Sequence, residues 1–386
     1  MTSYLLCSQE QLIEMAALRG WISGPPVGEP QIDRLPAVEI FSRGQTSVLP
    51  EDAVSTQPSV CLRIPSAVIH GSNLSLFIED RIFPGGLVHS PIVSASWSWT
   101  NDGKVLYGPG KLERLSARSP NLLGILSHWG HFFVDALDRV LLLDDPRTPA
   151  GPLLVSDPDF FSLQPKVDEN FAVPQVSGLM RLAGVKFESG NFIALDKRHD
   201  YQVDDLTLWT LHSQKPAISS RSFRSLRDRV YERLSLDGRA VRAGGDLIYV
   251  GRSDIKKRFV LNQDAIVRFL DQAYSGRTIY PEHLSVTQSI EEFYRASRVI
   301  LPAGSAKFNL IFCRPGTEVV CVMPKGYSVL NDGVGKMIRH LCRSMGLKLA
   351  FYDAEIPEQN KILLNSDMYL DEADVRRIMG IFDGMD

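Results

Sequence analysis

The feature that most constrains this chain is a strand-helix-strand pattern repeated between Asp246 and Met323. DLIYV, from Asp246 to Val250, reads as a β-rich apolar run, GRSDIKKRFVL as a basic loop, and Asn262 as the cap of a helix through Asp264, Ile266, Val267, Phe269 and Leu270. Ser285 and Gln288 make a capping-box pattern opening the helix QSIEEFYRAS. RVIL then reads as a strand, Pro302-Ala303-Gly304-Ser305 as a turn, AKFNLIFC as a helix stopped by Arg314-Pro315-Gly316, and EVVCVM as a buried strand. Strand, helix and strand fall within about 35 residues, the span of a parallel crossover unit. The expected topology is Rossmann-like.

A chain of 386 residues exceeds what one core usually organises, so two domains are expected. From Pro25 to about Pro120, Pro, Gly, Ser and short β-branched runs predict strands joined by turns. Beyond Pro120, ILSHWGHFFVDALDRVLLLDD has helical spacing and GPLLVSD reads as a strand. VSGLMRLAGV follows as a helix ending at Gly184, with FIALD and LTLWTL as strands. The polar stretch HSQKPAISS marks a boundary, giving an N-terminal domain at 1–215 and a C-terminal domain at 216–345. A final segment, 346–386, carries a helix capped by Asp371 that is expected to pack back on the N-terminal domain. The fold class is therefore α/β, with two Rossmann-like domains facing a central cleft.

Charge and cysteine usage narrow the partners. The formal net charge of −3 leaves no general basic field for nucleic acid, so anion binding is expected to be local. Five scattered cysteines without a C-x-x-C pair argue against a disulfide framework or a zinc site and fit a reducing cytoplasm. No stretch of 18 or more apolar residues occurs and the first residues lack a signal-peptide pattern, so a cytoplasmic protein is expected.

Two constellations carry chemistry. The Pro302–Ser305 turn joins a strand end to a helix start, where backbone N–H groups and the helix dipole favour an anion. Gly304 allows close approach, Ser305 offers a hydroxyl, and Asn309 follows at helical spacing on the same face. Arg252, Lys256, Lys257 and Arg258 closely follow DLIYV, so a second, cationic loop leaves the same sheet edge, with Arg able to grip a diphosphate in two-pronged fashion. A solvated basic loop is the plainer alternative. In SHWGHFFVDALDRVLLL, His131, Asp135 and Arg139 stand at i, i+4 and i+8, one stripe of a helix. An Asp or His on such a stripe can take a proton from a hydroxyl, and a solvated polar face or ion pair is the alternative. His128, His131 and Asp135 have ligand-like spacing, and Asp157-Pro158-Asp159 forms a D-x-D, but no set of ligands is completed and no metal or other cofactor is expected. Trp97, Trp99 and Trp129 are candidates for stacking on sugar faces or for the core.

Three blocks stand in order: I-Y-V-G-R-S-D-x-x-K-R-x-x-x-N-x-D, Y-P-E-x-L-S-x-x-Q, and F-x-x-A-x-x-V-I-x-P-x-G-x-x-x-x-N-x-x-F-C-x-P-G-T-E-V. Together they resemble the C-terminal domain of family 61 glycosyltransferases, which include bacterial members of capsular-polysaccharide type. The helix from His131 to Arg139 is similar to that family's H-W-x-x-D-x-x-P-R block, with Phe132 for the Trp and Asp138 for the Pro. In the turn, Ala303 stands where the family usually has His, and Leu301 where it has Gly.

The resemblance implies a GT-B type architecture and transfer of a sugar, with inversion and without a metal, from a nucleotide-sugar donor to a hydroxyl of a glycan or glycolipid acceptor, with peripheral contact at the inner membrane face. It implies Arg252, Arg258, Asn262, Glu282, Gln288, Gly304 and Asn309 as donor-site or supporting positions. Asp135 or His131 would be the base, and Arg139 would pair with Asp135 or reach a substrate anion. A pyruvyltransferase acting on polysaccharide and a non-catalytic nucleotide- or glycan-binding protein are the alternatives.

Overall fold

The structure, a computed structural model, describes residues 2–71, 74–83, 97–99, 105–107, 111–156, 167–169, 171–185, 190–211, 219–236, 238, 246–253, 259–327, 332–357 and 366–385. The chain forms two compact units. One comprises Met1–Gln31 with Thr56–Gln214, the other Ile32–Ser55 with Lys215–Asp386. Each is a mixed α/β assembly containing parallel strands, compatible with the Rossmann-like expectation. Among the described residues no helix is long and apolar enough to cross a membrane.

In the first unit, four parallel strands lie side by side in the order Phe192–Leu195, Leu153–Ser156, Asn121–Gly124, His199–Trp209. The two strands Asn121–Gly124 and Leu153–Ser156 are buried along their whole length, as parallel strands covered on both faces must be. His199–Trp209 also pairs antiparallel with Cys61–His70, from Asp200↔His70 to Trp209↔Cys61, and so joins this parallel part to a meander of shorter strands. Helix Gln9–Leu18, opened by a Ser8–Gln11 capping box, buries Leu12 and Met15 against Leu62, Ile64, Leu122 and Leu154. The expected helix ending at Gly184 is Pro174–Leu182, and Gly184 takes the left-handed conformation, φ 73°, that a helix stop favours.

The second unit holds a seven-stranded sheet ordered Arg277–Ile279, Asp246–Val250, Ala296–Pro302, Glu318–Pro324, Lys348–Ala354, Val38–Ser42, Gln45–Leu49. The first six are parallel. Val38–Ser42 was expected in the N-terminal domain; it pairs instead with Lys348–Ala354 through Phe351↔Ile40 and Tyr352↔Phe41. Helix Asp332–Met345 holds this inserted segment. Lys336 pairs with Asp52 at 2.6 Å, Arg339 donates to the carbonyls of Pro36 and Pro50 at 2.6 Å each, and His340 Nε2 lies 2.7 Å from Asp33 Oδ2.

The helix Glu372–Asp383 is a second correction. Asp371 caps it as expected, in a capping box with Asp374. It packs, however, within the second unit: Val375, Ile378, Met379 and Phe382 join Ile266, Leu270, Val320 and Tyr352 in one core. The reason is partly electrostatic. Asp374 is buried, yet it accepts from Arg43 at 2.5 Å, Tyr352 Oη at 2.6 Å and Arg377 at 2.9 Å. Burial pushes its carboxyl up, but these bonds outweigh burial and hold it at about 2.

Candidate functional site

In the first unit the chain runs from Asn121–Gly124 outward to Leu153–Ser156 and Phe192–Leu195, then returns to place His199–Trp209 on the opposite side of Asn121–Gly124. The carboxyl end of Asn121–Gly124 is thus a topological switch point, where open α/β sheets bind ligands. The helix entered there is not uniform. Trp129–His131 is α-helical, Phe132–Ala136 is a π-helix, and Leu137–Leu141 is α-helical again. Wide π turns recur at functional sites. Gly124, at φ 133°, makes the close approach possible: a Cβ there would sit 2.7 Å from the Asp135 carbonyl oxygen and 3.1 Å from Ala136 Cβ.

This turn buries Asp135 and sets its Oδ2 2.7 Å from His131 Nδ1. The His131 side chain keeps 18% of its surface exposed, against 1% for Asp135. His128 caps the helix; its Nδ1 accepts from the His131 N–H at 3.4 Å, which commits that nitrogen to the backbone. Trp129, half-buried, packs edge-on against Phe133, with centroids 4.9 Å apart. Arg139 does not continue the stripe toward solvent. It is buried, and donates from Nε to the Trp209 carbonyl at 2.8 Å and from Nη1 to the Leu123 carbonyl at 3.5 Å. Burial lowers its pKa to about 10 against the opposing charges of Asp135 and Asp138. The π turn interrupts the 3.6-residue period on which the three-residue stripe was read.

The second unit repeats the switch-point logic. From Asp246–Val250 the chain crosses to Arg277–Ile279 on one side, then to Ala296–Pro302 on the other. The loops leaving Asp246–Val250 and Ala296–Pro302 therefore emerge side by side at the carboxyl edge. Arg252, in the first, donates from Nη2 to the Ala303 carbonyl in the second at 2.9 Å and is itself buried. A Cβ on Gly304 would lie 1.4 Å from that Nη2, so the absent side chain makes room for the guanidinium. The φ of Gly304, 169°, is ordinary extended backbone, so space, not conformation, is what requires glycine there.

Neighbouring side chains hold the Arg252 loop. The carboxamide of Gln263 accepts from the Arg252 N–H and donates to the Arg252 carbonyl, each at 2.9 Å. Glu282 Oε1 accepts from the Ser253 N–H at 2.8 Å and from its hydroxyl at 3.1 Å, while Ser253 Oγ lies 2.8 Å from His283 Nε2. Gly251 is needed beside Tyr280, whose ring carbon would be 2.6 Å from an added Cβ.

Other expected residues are placed differently. Ser305–Phe312 is a 3-10 helix, not an α-helix. At three residues per turn, Ser305 and Asn309 fall on different faces, and Asn309 is buried while Ser305 is half-buried. Asn262 precedes its helix but makes no side-chain cap bond; its carboxamide pairs with the backbone of Leu370 in both directions. Gln288 sits in the expected capping box with Ser285. Arg258, Lys256, Lys257, Asp157 and Asp159 lie outside the described residues, as do the side chains of Trp97 and Trp99. Among the described residues no three His, Cys, Asp or Glu side chains gather as a metal-ligand set. Gln263 and Ser253 were missed by sequence reasoning, since a Gln opening a helix carries no sign that it reaches back to a loop.

Loops that emerge side by side at a switch point of a parallel sheet, one crossed by a buried arginine, form a crevice of the kind in which open α/β sheets bind ligands. Residues 129–320, just under half of the chain and including both constellations, match the family Glycosyltransferase 61. Over that stretch the chain is similar to family 61 glycosyltransferases. No curated protein matches the chain significantly.

Proposed function

We propose that this glycosyltransferase moves a sugar from a nucleotide-sugar donor to a hydroxyl of a glycan or glycolipid, with inversion and without a metal. The observation that carries the reading is the guanidinium of Arg252 laid across Gly304 at the switch point of the second sheet, within the matched family region. Arg252, the hydroxyl of Ser305 and the amides of the turn would bind the diphosphate and stabilise the charge that develops on the leaving group. Arg258 would add a second cation. Asn262, Glu282 and Asn309 would support the loops rather than touch the donor, in keeping with the partners of the first two and the burial of the third.

For the base, geometry favours His131 over Asp135. Asp135 is enclosed, whereas the more exposed His131 turns one ring nitrogen to the carboxylate. The Asp135 carboxylate would hold the imidazole in one tautomer, and the imidazole would take the proton of the acceptor hydroxyl as its oxygen attacks the anomeric carbon and the bond to the diphosphate breaks. Arg139, fastened to main-chain carbonyls, would act on this pair by its charge and not by reaching substrate.

A role in polysaccharide biosynthesis, a cytoplasmic location and peripheral contact with the inner membrane face at a glycolipid acceptor belong to this reading. Five buried free thiols suit a reducing compartment. A second reading, a nucleotide- or glycan-binding protein without turnover, draws on Ala303, a buried methyl where the family usually has an imidazole. Titration with a panel of nucleotide sugars, followed by an assay of nucleoside diphosphate release with and without glycan acceptors, separates the two. Release that depends on acceptor supports transfer; tight binding with no release in any combination supports the binding protein.

A further inference from the structure

Arg252 lies two residues beyond the end of its strand, where the sheet no longer holds the chain: the last ladder-like bond on that side is from the Gly251 N–H to the Ile279 carbonyl at 2.9 Å. Gln263 takes over at the next residue. Its carboxamide imitates a neighbouring peptide, meeting both the N–H and the carbonyl of Arg252 at 2.9 Å, and it is only 5% exposed. Two bonds to one residue fix its orientation as well as its position.

The base from which Gln263 reaches is itself anchored. Asn262, immediately before it, pairs with the Leu370 backbone in both directions. The segment leading to it is laced to the chain near Met368, with Leu261 N–H donating to the Met368 carbonyl at 2.9 Å and Met368 N–H to the Phe259 carbonyl at 2.7 Å. Successive side-chain amides thus tie the start of helix Gln263–Tyr274 to the C-terminal segment on one side and to the Arg252 loop on the other. A methionine or leucine at position 263 would fill comparable space, but it would leave the Arg252 peptide without these partners.

We infer that Gln263 is a positioning residue of the donor site: by holding the main chain of Arg252 it sets the guanidinium across Gly304 before an anion arrives. This rests on the donor-site reading above. Preorganisation of this kind gains affinity because the binding group need not be ordered by the ligand.

The test is a double-mutant cycle on the full chain, using Gln263→Met, Arg252→Ala and the double variant, titrated calorimetrically with inorganic pyrophosphate, UDP and GDP. Gln263→Met is expected to weaken the probes that bind by about tenfold, by a similar factor for UDP and GDP, because the base is not what Gln263 acts on. In the Arg252→Ala background the same change is expected to cost no further affinity, whereas a merely structural role would cost the same in both. Amide hydrogen exchange supplies a ligand-free readout, with faster exchange at Arg252 in the variant. If Gln263→Met does not fold, Gln263→Asn, which keeps the amide but falls short of the loop, takes its place. Wild-type affinity in the position 263 variant, or additive losses, overturns the inference while leaving the donor site standing. Failure of the wild type to bind any of the three probes overturns the donor reading, and the inference with it.

Discussion

The two switch points are built in opposite ways. In the first unit the candidate residues sit on one helical stretch, His131 and Asp135 four residues apart and 2.7 Å in contact, so a local pattern carries nearly all of the constellation. In the second, Arg252, Gln263, Glu282 and Ala303 come from four separate segments and meet only because parallel strands bring their loops to one edge. A local constellation tolerates loss of distant structure but depends on helical phase; a dispersed one depends on the frame that assembles it.

The sharpest separation between the two comes from the His131–Asp135 pair. Asp135→Asn and His131→Ala are expected to lower turnover by about 10² to 10⁴, the range for a lost general base and its orienting partner. Neither residue belongs to the second constellation, so nucleoside diphosphate affinity measured by calorimetry is expected to stay at the wild-type value. A parallel fall in affinity would break the division of labour between the two sites.

The frame of the second unit is tested at Asp374. Replacing it with Asn removes the buried carboxylate that Arg43, Tyr352 and Arg377 share, while the part-exposed Arg43 keeps Asp371, so the expected loss is about 1.5 to 3 kcal/mol of unfolding free energy in denaturant titrations. The pH dependence has a definite sign. Because the folded carboxyl is held at about 2, below its unfolded value near 4, its contribution is complete above about pH 4 and is lost as pH falls toward 2. The wild type should therefore lose stability over that window more steeply than Asp374→Asn. Equal acid slopes would mean that this carboxylate does not bind the inserted segment Ile32–Ser55 to the C-terminal helix.

Gly304→Ala probes the dispersed site without disturbing its frame. Alanine adopts the φ of 169° without strain, yet its Cβ would stand 1.4 Å from the Arg252 guanidinium. The guanidinium must leave, and diphosphate affinity should fall by about 1.5 to 3 kcal/mol, the worth of a hydrogen bond to a charged group. The melting temperature should fall by only a few degrees, through the lost bond to the Ala303 carbonyl. Unchanged affinity would remove Arg252 from the donor site.

How much of this was legible follows from range. The strand order from Asp246 to Met323, the capping box at Ser285, the cap at Asp371 and the His131–Asp135 spacing are short-range patterns, and each is present. The π turn at Phe132–Ala136 is not legible, because apolar spacing over five residues does not distinguish it from an α-helical turn, and it breaks the 3.6-residue period that linked Arg139 to the stripe. The 3-10 form of Ser305–Phe312 separated Ser305 from Asn309 for a similar reason: apolar spacing over eight residues does not distinguish three residues per turn from 3.6. Pairing of Val38–Ser42 with Lys348–Ala354 joins positions some three hundred residues apart, and no periodicity within either strand names its partner.

The smallest expected effect is the control for that contrast. Ser285 opens helix Val286–Arg295 with a capping box in which its hydroxyl accepts from the Gln288 N–H at 3.2 Å, and the Gln288 side chain accepts from the Ser285 N–H at 3.0 Å. Ser285→Ala should cost about 1 kcal/mol of stability, the usual worth of such a cap. Yet this helix follows directly on the Pro281–His283 turn, from which Glu282 holds Ser253. If the dispersed site depends on its frame as a whole, even this modest loss should loosen the Ser253 amide in hydrogen exchange. If it depends only on the bonds made directly to the loop, Ser253 exchange and pyrophosphate affinity should match the wild type while the melting temperature falls. The bonds from Gln263 and Glu282 reach the loop without passing through Ser285, so the second outcome is expected.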